Sequence, residues 1–188
     1  MSRDESPPDR ALSKLSLRSS DAVDPAQLQH FLDTFLYRED AFLINEITSL
    51  DADAFEIRAR LDTASAALPF AQAQRTSAHH PGHVSGAELV MVTGSLGCLH
   101  AWFFHGVRWD EGWSGFGNRI NRADFKRLAV LGPPIELVSR ETRKRVGEKR
   151  IVLRYDFEFR QEDELVYVGD QSAMFVRADV AIEKFRRA

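Results

Sequence analysis

The sequence predicts an α+β domain in which an antiparallel sheet covers one long apolar helix. The segment from Gly86 to about Phe104 is the most apolar in the chain, and it is too long for a typical strand. Apolar and polar residues alternate on both sides of it, at 55–61 and between 135 and 176, as they do in half-buried strands. Antiparallel strands with a single apolar helix to cover are typical of the α+β class.

Length and composition indicate an ordinary globular protein. Of its 188 residues, 44% are hydrophobic and 28% are charged, which excludes a wholly disordered chain and a collagen-like repeat. Cys98 is the single cysteine, so no disulfide can form within the chain. The net charge of −3 and the pI near 6.1 give no electrostatic case for nucleic acid or an anionic membrane as the main partner. With no signal core and no uninterrupted apolar run of membrane-spanning length, we expect a cytoplasmic protein.

The chain divides into a tail and a single domain. Residues 1–23 are rich in Ser, Asp, Arg and Pro and predict a disordered tail, which leaves 24–188 as the domain. Asp24 and Pro25 suit the N-cap and the first position of a helix that should end between Tyr37 and Asp40.

Extended segments flank the apolar helix. The predicted strands cover residues 41–50, 55–61, 135–140, 151–160 and 165–176. Residues 68–77 are expected to form a loop or a short strand, and 107–117 a structured loop. The last three strands predict an antiparallel meander with one apolar face.

The chain enters the apolar helix through His-His-Pro-Gly-His-Val-Ser-Gly-Ala-Glu, residues 79–88. A helix N-terminus presents free N–H groups and a partial positive charge, which would stabilise a thioester carbonyl or its enolate. A neighbouring His, Ser or Glu could move protons. The junction is therefore a chemically reasonable acyl-thioester site.

This arrangement resembles the hot-dog fold, in which an antiparallel sheet wraps around one central helix and two subunits often share a sheet. Residues 82–89 are similar to the Gly-His-Phe-Asn-Ala-Val-Glu-Leu of FcoT-like fatty-acyl-CoA thioesterases, and residues 112–114 match their Gly-Trp-Ser. The resemblance covers roughly residues 30–177. It implies thioester hydrolysis, or a related addition to an enoyl thioester. Of the family's active residues, one Tyr falls on Tyr37, and the second Tyr and the Asn fall on Ser77 and Ser85.

A second resemblance is to the 3-hydroxyacyl-carrier-protein dehydratases. Their His-Phe-Pro-Gly motif looks like residues 79–82, and one of their later strands resembles residues 124–133. The acidic residue that this family places on the helix falls on Met91, which cannot exchange a proton. Glu88 is three residues earlier, on nearly the same helical face, and could take that place in a shifted pocket.

The candidate residues gather at the helix entry. Those predicted to be catalytic are His79, His83, Glu88, Tyr37 and Ser85, and those predicted to bind substrate are Gly86, Ala87 and Met91. For several of them a structural role is the alternative: Glu88 and Ser85 could cap the helix, and Tyr37 could be a core aromatic. No metal is expected, because the loop histidines lack acidic or Cys ligands at a usual spacing.

The sequence therefore predicts a homodimer, or a dimer of dimers, that acts without a cofactor on acyl thioesters of CoA or acyl carrier protein. The alternatives are a 3-hydroxyacyl thioester dehydratase and a catalytically inactive subunit that binds acyl chains. The basic run from Arg140 to Arg150 is expected to be a solvated hairpin, or to meet a CoA phosphate or an acidic carrier protein.

Overall fold

A computed structural model describes residues 18–19, 22–38, 41–64 and 68–178. In chain order its elements are β1 (Arg18–Ser19), α1 (Pro25–Thr34), β2 (Glu46–Asp51), β3 (Glu56–Leu61), α2 (Pro69–Gln72), α3 (Gly86–His105), a 3₁₀ turn (Trp109–Glu111), β4 (Trp113–Phe125), β5 (Ile135–Val146), β6 (Arg150–Gln161) and β7 (Glu164–Arg177). Most of the predicted tail lies outside the described residues, although β1 pairs with β2.

One seven-stranded sheet contains every strand described, in the order β1-β2-β3-β5-β6-β7-β4. The two-residue β1 runs parallel to β2, and the strands from β2 to β7 pair antiparallel. The sheet curls around α3, whose Leu89, Val92 and Leu96 are buried in the core. This confirms the predicted α+β architecture of an antiparallel sheet around one long central helix.

The central helix α3 is defined at both ends by capping residues. The Ser85 side chain accepts a hydrogen bond from the Glu88 amide, and the Glu88 side chain reaches back to the Ser85 amide, a capping box. Gly106 ends the helix in the left-handed region at φ +63°. The helix is long and apolar enough to cross a membrane, but 61% of its apolar window is buried inside the protein, as in a core helix.

Three elements before α3 differ from their predictions. Helix α1 ends at Thr34, because Phe35 already has an extended backbone. Strand β2 begins at Glu46 rather than at residue 41, since the apolar side chains of residues 42–44 enter the core without joining a strand. Residues 69–72 form a short helix where a loop or strand was expected; Pro69 suits the first helical turn.

Strand β4 is the element that the sequence does not reveal. Residues 107–117 were expected to form a loop, but β4 starts at Trp113 and continues to Phe125. It lies at the edge of the sheet, pairs with β7, and contains two register shifts. Most of its residues are exposed, so it lacks the apolar alternation that marks a strand with one buried face.

His100 lies in the middle of the core and gives the fold a pH dependence. Its Nε2 is 2.9 Å from Ser139 Oγ, and burial lowers the pKa of His100 to about 3. Below its ordinary pKa of 6.5 the unfolded chain binds a proton that the folded chain does not take up until about pH 3. The contribution that the neutral His100 makes to stability is therefore fully present above pH 6.5 and is lost as the pH falls towards 3.

We expect His100→Gln, which keeps a polar group facing Ser139, to remove this loss. Between about pH 6.5 and pH 5 the wild type should lose roughly 2 kcal/mol more stability than the variant. Urea unfolding of both proteins at the two pH values measures the difference. Equal losses in the two proteins would show that His100 does not titrate in this way.

Candidate functional site

A cavity of about 310 Å³ lies along one face of α3 and is lined mostly by apolar atoms. Helix α3 contributes Met91, Gly94 and Cys98, spaced to share one helical face, while Tyr37 follows α1 on another side. Strands β4, β6 and β7 complete the walls with glycine and aromatic residues. None of the described lining residues is Asp, Glu or His, so the cavity is suited to an apolar chain rather than to a charged group.

Two glycines of α3 shape this wall: Gly97 lets the Tyr155 ring pack against the helix, and Gly94 leaves room. A side chain at Gly97 would meet the Tyr155 ring at 3.4 Å, and the Tyr155 hydroxyl hydrogen-bonds to the Gly97 carbonyl at 3.3 Å. A side chain at Gly94 would meet no atom within 4 Å. Since a glycine inside a helix costs roughly 1 kcal/mol relative to alanine, Gly94 opens cavity space at the expense of helix stability.

Thr93 and Gln171 belong to a short chain of hydrogen-bonded polar side chains at the mostly apolar lining. The Thr93 hydroxyl is 2.9 Å from Gln171 Oε1, and the Gln171 amide donates to the Tyr167 hydroxyl at 2.8 Å. The Val90 carbonyl oxygen, 2.6 Å away, shares the single proton of the Thr93 hydroxyl with Gln171 Oε1. Because Thr93 and Gln171 line the cavity, they offer a polar contact to whatever occupies it.

Cys98 lines the cavity but is not prepared to act as a nucleophile. Desolvation raises the pKa of its thiol to about 12, so the thiol stays protonated at neutral pH. Cys98 therefore serves as a small residue of the cavity wall.

The start of α3 lies close to one end of the cavity. Ala87 and Met91 are four residues apart, so they share a helical face, and the rise between them is about 6 Å. Within the described part of the chain, the amides of Gly86 and Ala87 have no hydrogen-bond acceptor. Two free N–H groups therefore stand about one turn from the cavity wall, at the positive end of the helix.

Glu88 holds two helix starts together. Its Oε1 accepts hydrogen bonds from the amides of Phe70 and Ala71 at 3.0 and 3.1 Å, and its Oε2 accepts one from Ser85 at 2.8 Å. Glu88 is 0% exposed and is absent from the cavity lining. This geometry matches the capping alternative, with all three contacts made by backbone N–H groups.

His83 is held in a defined orientation on the loop before α3. The Gln74 side chain bonds to both the amide and the carbonyl of His83, at 3.1 and 2.8 Å. The His83 Nδ1 is 2.9 Å from the Pro81 carbonyl oxygen, which must accept the proton on that nitrogen. The other ring nitrogen, Nε2, then carries the lone pair of a neutral imidazole, the form that a general base requires.

The structure divides the predicted residues into two groups. Tyr37, which is 63% exposed, and Met91 line the cavity. The others lie at the start of α3 or on the loop before it: His79, His83, Ser85, Gly86, Ala87 and Glu88. His79 is exposed, and its amide, rather than its ring, bonds to Ser77. Among the described residues, no three His, Cys, Asp or Glu side chains come together as metal ligands.

Thr93 and Gln171 were missed as site residues. Gln171 carries the signal that could have identified it: it is a polar residue at an inward position of β7, between the inward-facing Tyr167 and Phe175. A polar side chain on the buried face of a strand indicates either a hydrogen-bonded network or a site. Thr93 carries a weaker signal, because a threonine inside an apolar helix commonly bonds to its own backbone.

No family model matches the sequence, and neither does any curated protein. A thioesterase from Haemophilus influenzae is similar in structure, with a TM-score of 0.53 and 18% identity over 80% of this chain and 91% of that chain. A mutant thioesterase from Pseudomonas aeruginosa gives 0.48 and 18%, covering 70% and 80%. The E. coli PaaI protein from the phenylacetic acid degradation operon gives 0.46 and 15%, covering 68% and 79%. The first similarity, together with the architecture described above, shows that this chain has the hot-dog fold.

Proposed function

We propose that this protein is a thioesterase-like enzyme that acts on fatty acyl thioesters of CoA or acyl carrier protein. The observation that carries the proposal is the cavity along α3, whose apolar lining suits an acyl chain. The similar structure from Haemophilus influenzae is that of a thioesterase, which supports the proposal, as does the FcoT-like sequence of residues 82–89. The free amides at the start of α3 can donate hydrogen bonds to the oxygen of the reacting carbonyl.

In this proposal the acyl chain lies along Met91, Gly94 and Cys98, and the thioester carbonyl meets the amides of Gly86 and Ala87. As water attacks, the carbonyl oxygen becomes an oxyanion. Backbone N–H groups that are already oriented stabilise that charge without reorganising. The helix start therefore acts on the transition state more strongly than on the substrate.

His83 is our candidate for the proton transfers. Its Nε2 takes a proton from the attacking water, the C–S bond then breaks, and the departing thiolate receives that proton. The products are a carboxylic acid and a free thiol. The bond from Nδ1 to the Pro81 carbonyl supports this assignment, because it fixes the tautomer that leaves Nε2 unprotonated.

The remaining candidates have supporting roles. Tyr37 would place its hydroxyl at the cavity, where it could contact the thioester or the carrier arm. Ser85 and Glu88 would keep the helix start in position through their backbone bonds. His79, on the same loop as His83, would serve as the base in the dehydratase alternative.

We also propose that the protein is a homodimer. In the part of the chain that the structure describes, β4 has a partner strand on one side, so a long run of peptide groups remains open on the other. Exposed apolar side chains lie on β4 and around the start of α3; they include Phe116, Ile120, Phe125, Leu128 and Leu131. Antiparallel pairing of β4 with its copy would cover the strand edge and part of this apolar surface.

Light scattering at micromolar concentration should therefore give twice the mass of one chain. Ile120→Lys, which puts a charge into this exposed apolar surface, should shift the protein towards a monomer because burying an unpaired charge is costly. A wild type with the mass of one chain would contradict the dimer.

The proposed activity is tested with a panel of acyl-CoA and acyl-carrier-protein thioesters read by mass spectrometry. Hydrolysis releases a free thiol, dehydration of a 3-hydroxyacyl thioester removes water, and addition of an amine raises the mass. We expect hydrolysis. Loss of water alone would favour the dehydratase alternative, and no turnover of any substrate would favour an acyl-binding subunit.

A further inference from the structure

The arginines of the sheet fall into two groups. On β3 to β7, six form ion pairs with neighbouring carboxylates: Arg58, Arg60, Arg122, Arg140, Arg154 and Arg160. Five others are exposed and have no ion pair with any residue that the structure describes: Arg119, Arg143, Arg145, Arg150 and Arg177. We call the first four the arginine surface; Arg177 is the last residue of β7.

The arginine surface occupies one end of the outer face of the sheet. Arg143 lies opposite Arg154 in the β5–β6 register, and Arg154 lies opposite Ser172, which lies opposite Arg119 on β4. This row crosses four strands, a width of about 14 Å at the usual strand spacing. Arg150 and Val152 flank the buried Ile151 on β6, and Arg145 lies opposite Val152, so Arg145 and Arg150 project from the same outer face.

These positive charges lie close together in a protein whose net charge is −3. Like charges directly opposite each other weaken a sheet, and here Arg143 faces Arg154. Arg154 is offset by Asp170, with its Nε 2.7 Å from Asp170 Oδ1, whereas Arg143 has no carboxylate partner. The repulsion that remains would be relieved by an anionic partner outside the described chain.

We propose that the arginine surface docks an acidic protein, namely the carrier that presents the acyl thioester; the choice of carrier rests on the proposed function. A width of four strands exceeds what one CoA diphosphate can cover, whereas several carboxylates on one protein face can meet all four arginines. The surface is also the outer face of the sheet, while the cavity lies on the inner face beside α3. The row of arginines reaches β4, where Gly117, two residues before Arg119, lines the cavity, so a carrier docked on this surface would lie close to the cavity.

Binding is measured by fluorescence anisotropy with a labelled apo acyl carrier protein, which has no thioester and so needs no turnover. The test variant is Arg143→Glu with Arg145→Glu. The control is Arg160→Glu with Arg58→Glu, which changes the net charge equally at the other end of the same face. Thermal melting confirms that both variants are folded. Acyl-CoA turnover is measured in parallel.

We expect saturable binding that weakens with salt and falls roughly tenfold or more in the test variant, with the control close to wild type. Acyl-CoA turnover should stay within about twofold of wild type in the test variant. Equal binding losses in the two variants, or no binding by the wild type, would overturn the proposal. The proposal would also fail if labelled duplex DNA bound to the arginine surface and the carrier did not. A loss of acyl-CoA turnover in the test variant alone would assign the arginines to the CoA phosphates and would overturn the proposal as well. If the wild type turns over no thioester but binds the carrier through these arginines, the proposed activity fails and the docking surface stands.

Discussion

Replacing His83 with alanine is expected to lower thioester hydrolysis by roughly 100- to 10,000-fold, the usual contribution of a general base. The reason is the imidazole orientation: Gln74 fixes the backbone of His83, and the Pro81 carbonyl fixes its tautomer. The melting temperature should change little, because the His83 side chain is only half-buried. Steady-state release of thiol, measured with the best substrate of the panel, tests this.

His80→Ala is the matched control for His83→Ala. The two rings are 5.1 Å apart and nearly perpendicular, and His80 is exposed. A His80 variant with full turnover beside an inactive His83 variant would assign the proton transfer to His83. If His83→Ala keeps its rate and His79→Ala abolishes water elimination, the dehydratase alternative replaces the proposal.

Replacing Glu88 with alanine is expected to destabilise the fold by roughly 3–5 kcal/mol. The change leaves three buried or half-buried backbone N–H groups without an acceptor, and each unsatisfied group costs about 1–3 kcal/mol. It also separates the first turn of α2 from that of α3. Urea unfolding at pH 7 measures the loss.

Glu88→Gln distinguishes the structural role of Glu88 from a catalytic one. An amide keeps one oxygen acceptor but turns its N–H groups towards a backbone N–H, so we expect lower stability with turnover largely retained. The opposite pattern, unchanged or higher stability with most activity lost, would mean that Glu88 carries protons. Both quantities should be measured on the same preparation.

The sequence predicts the parts of this fold that have a strong hydrophobic period. Helix α3 and strands β6 and β7 follow from apolar patterning, and the Ser85–Glu88 capping box marks where the helix begins. Strand β4 could not be predicted because it is stabilised by backbone pairing at a sheet edge. Helix α2 has only four residues, and its first amides are bound by Glu88, a contact across 17 residues that local propensity cannot reveal.

The candidate site was partly predictable for a similar reason. The helix entry carries its own signature, so Ser85, Gly86 and Ala87 could be assigned to the start of α3 from local sequence. The cavity is formed by elements far apart in the chain, and Gln171 reaches it only through the pairing of β7. The sequence therefore located the free amides and the histidine loop, but not the polar chain within the cavity.

The most direct measurement is a crystal structure with a non-hydrolysable acyl-CoA thioether ketone, in which a methylene group separates the sulfur from the acyl carbonyl. The account predicts the acyl chain along Met91, Gly94 and Cys98, with the carbonyl oxygen within hydrogen-bond distance of the Gly86 or Ala87 amide and His83 Nε2 facing the carbonyl carbon. An acyl chain bound elsewhere, or a carbonyl group held away from the start of α3, would contradict it.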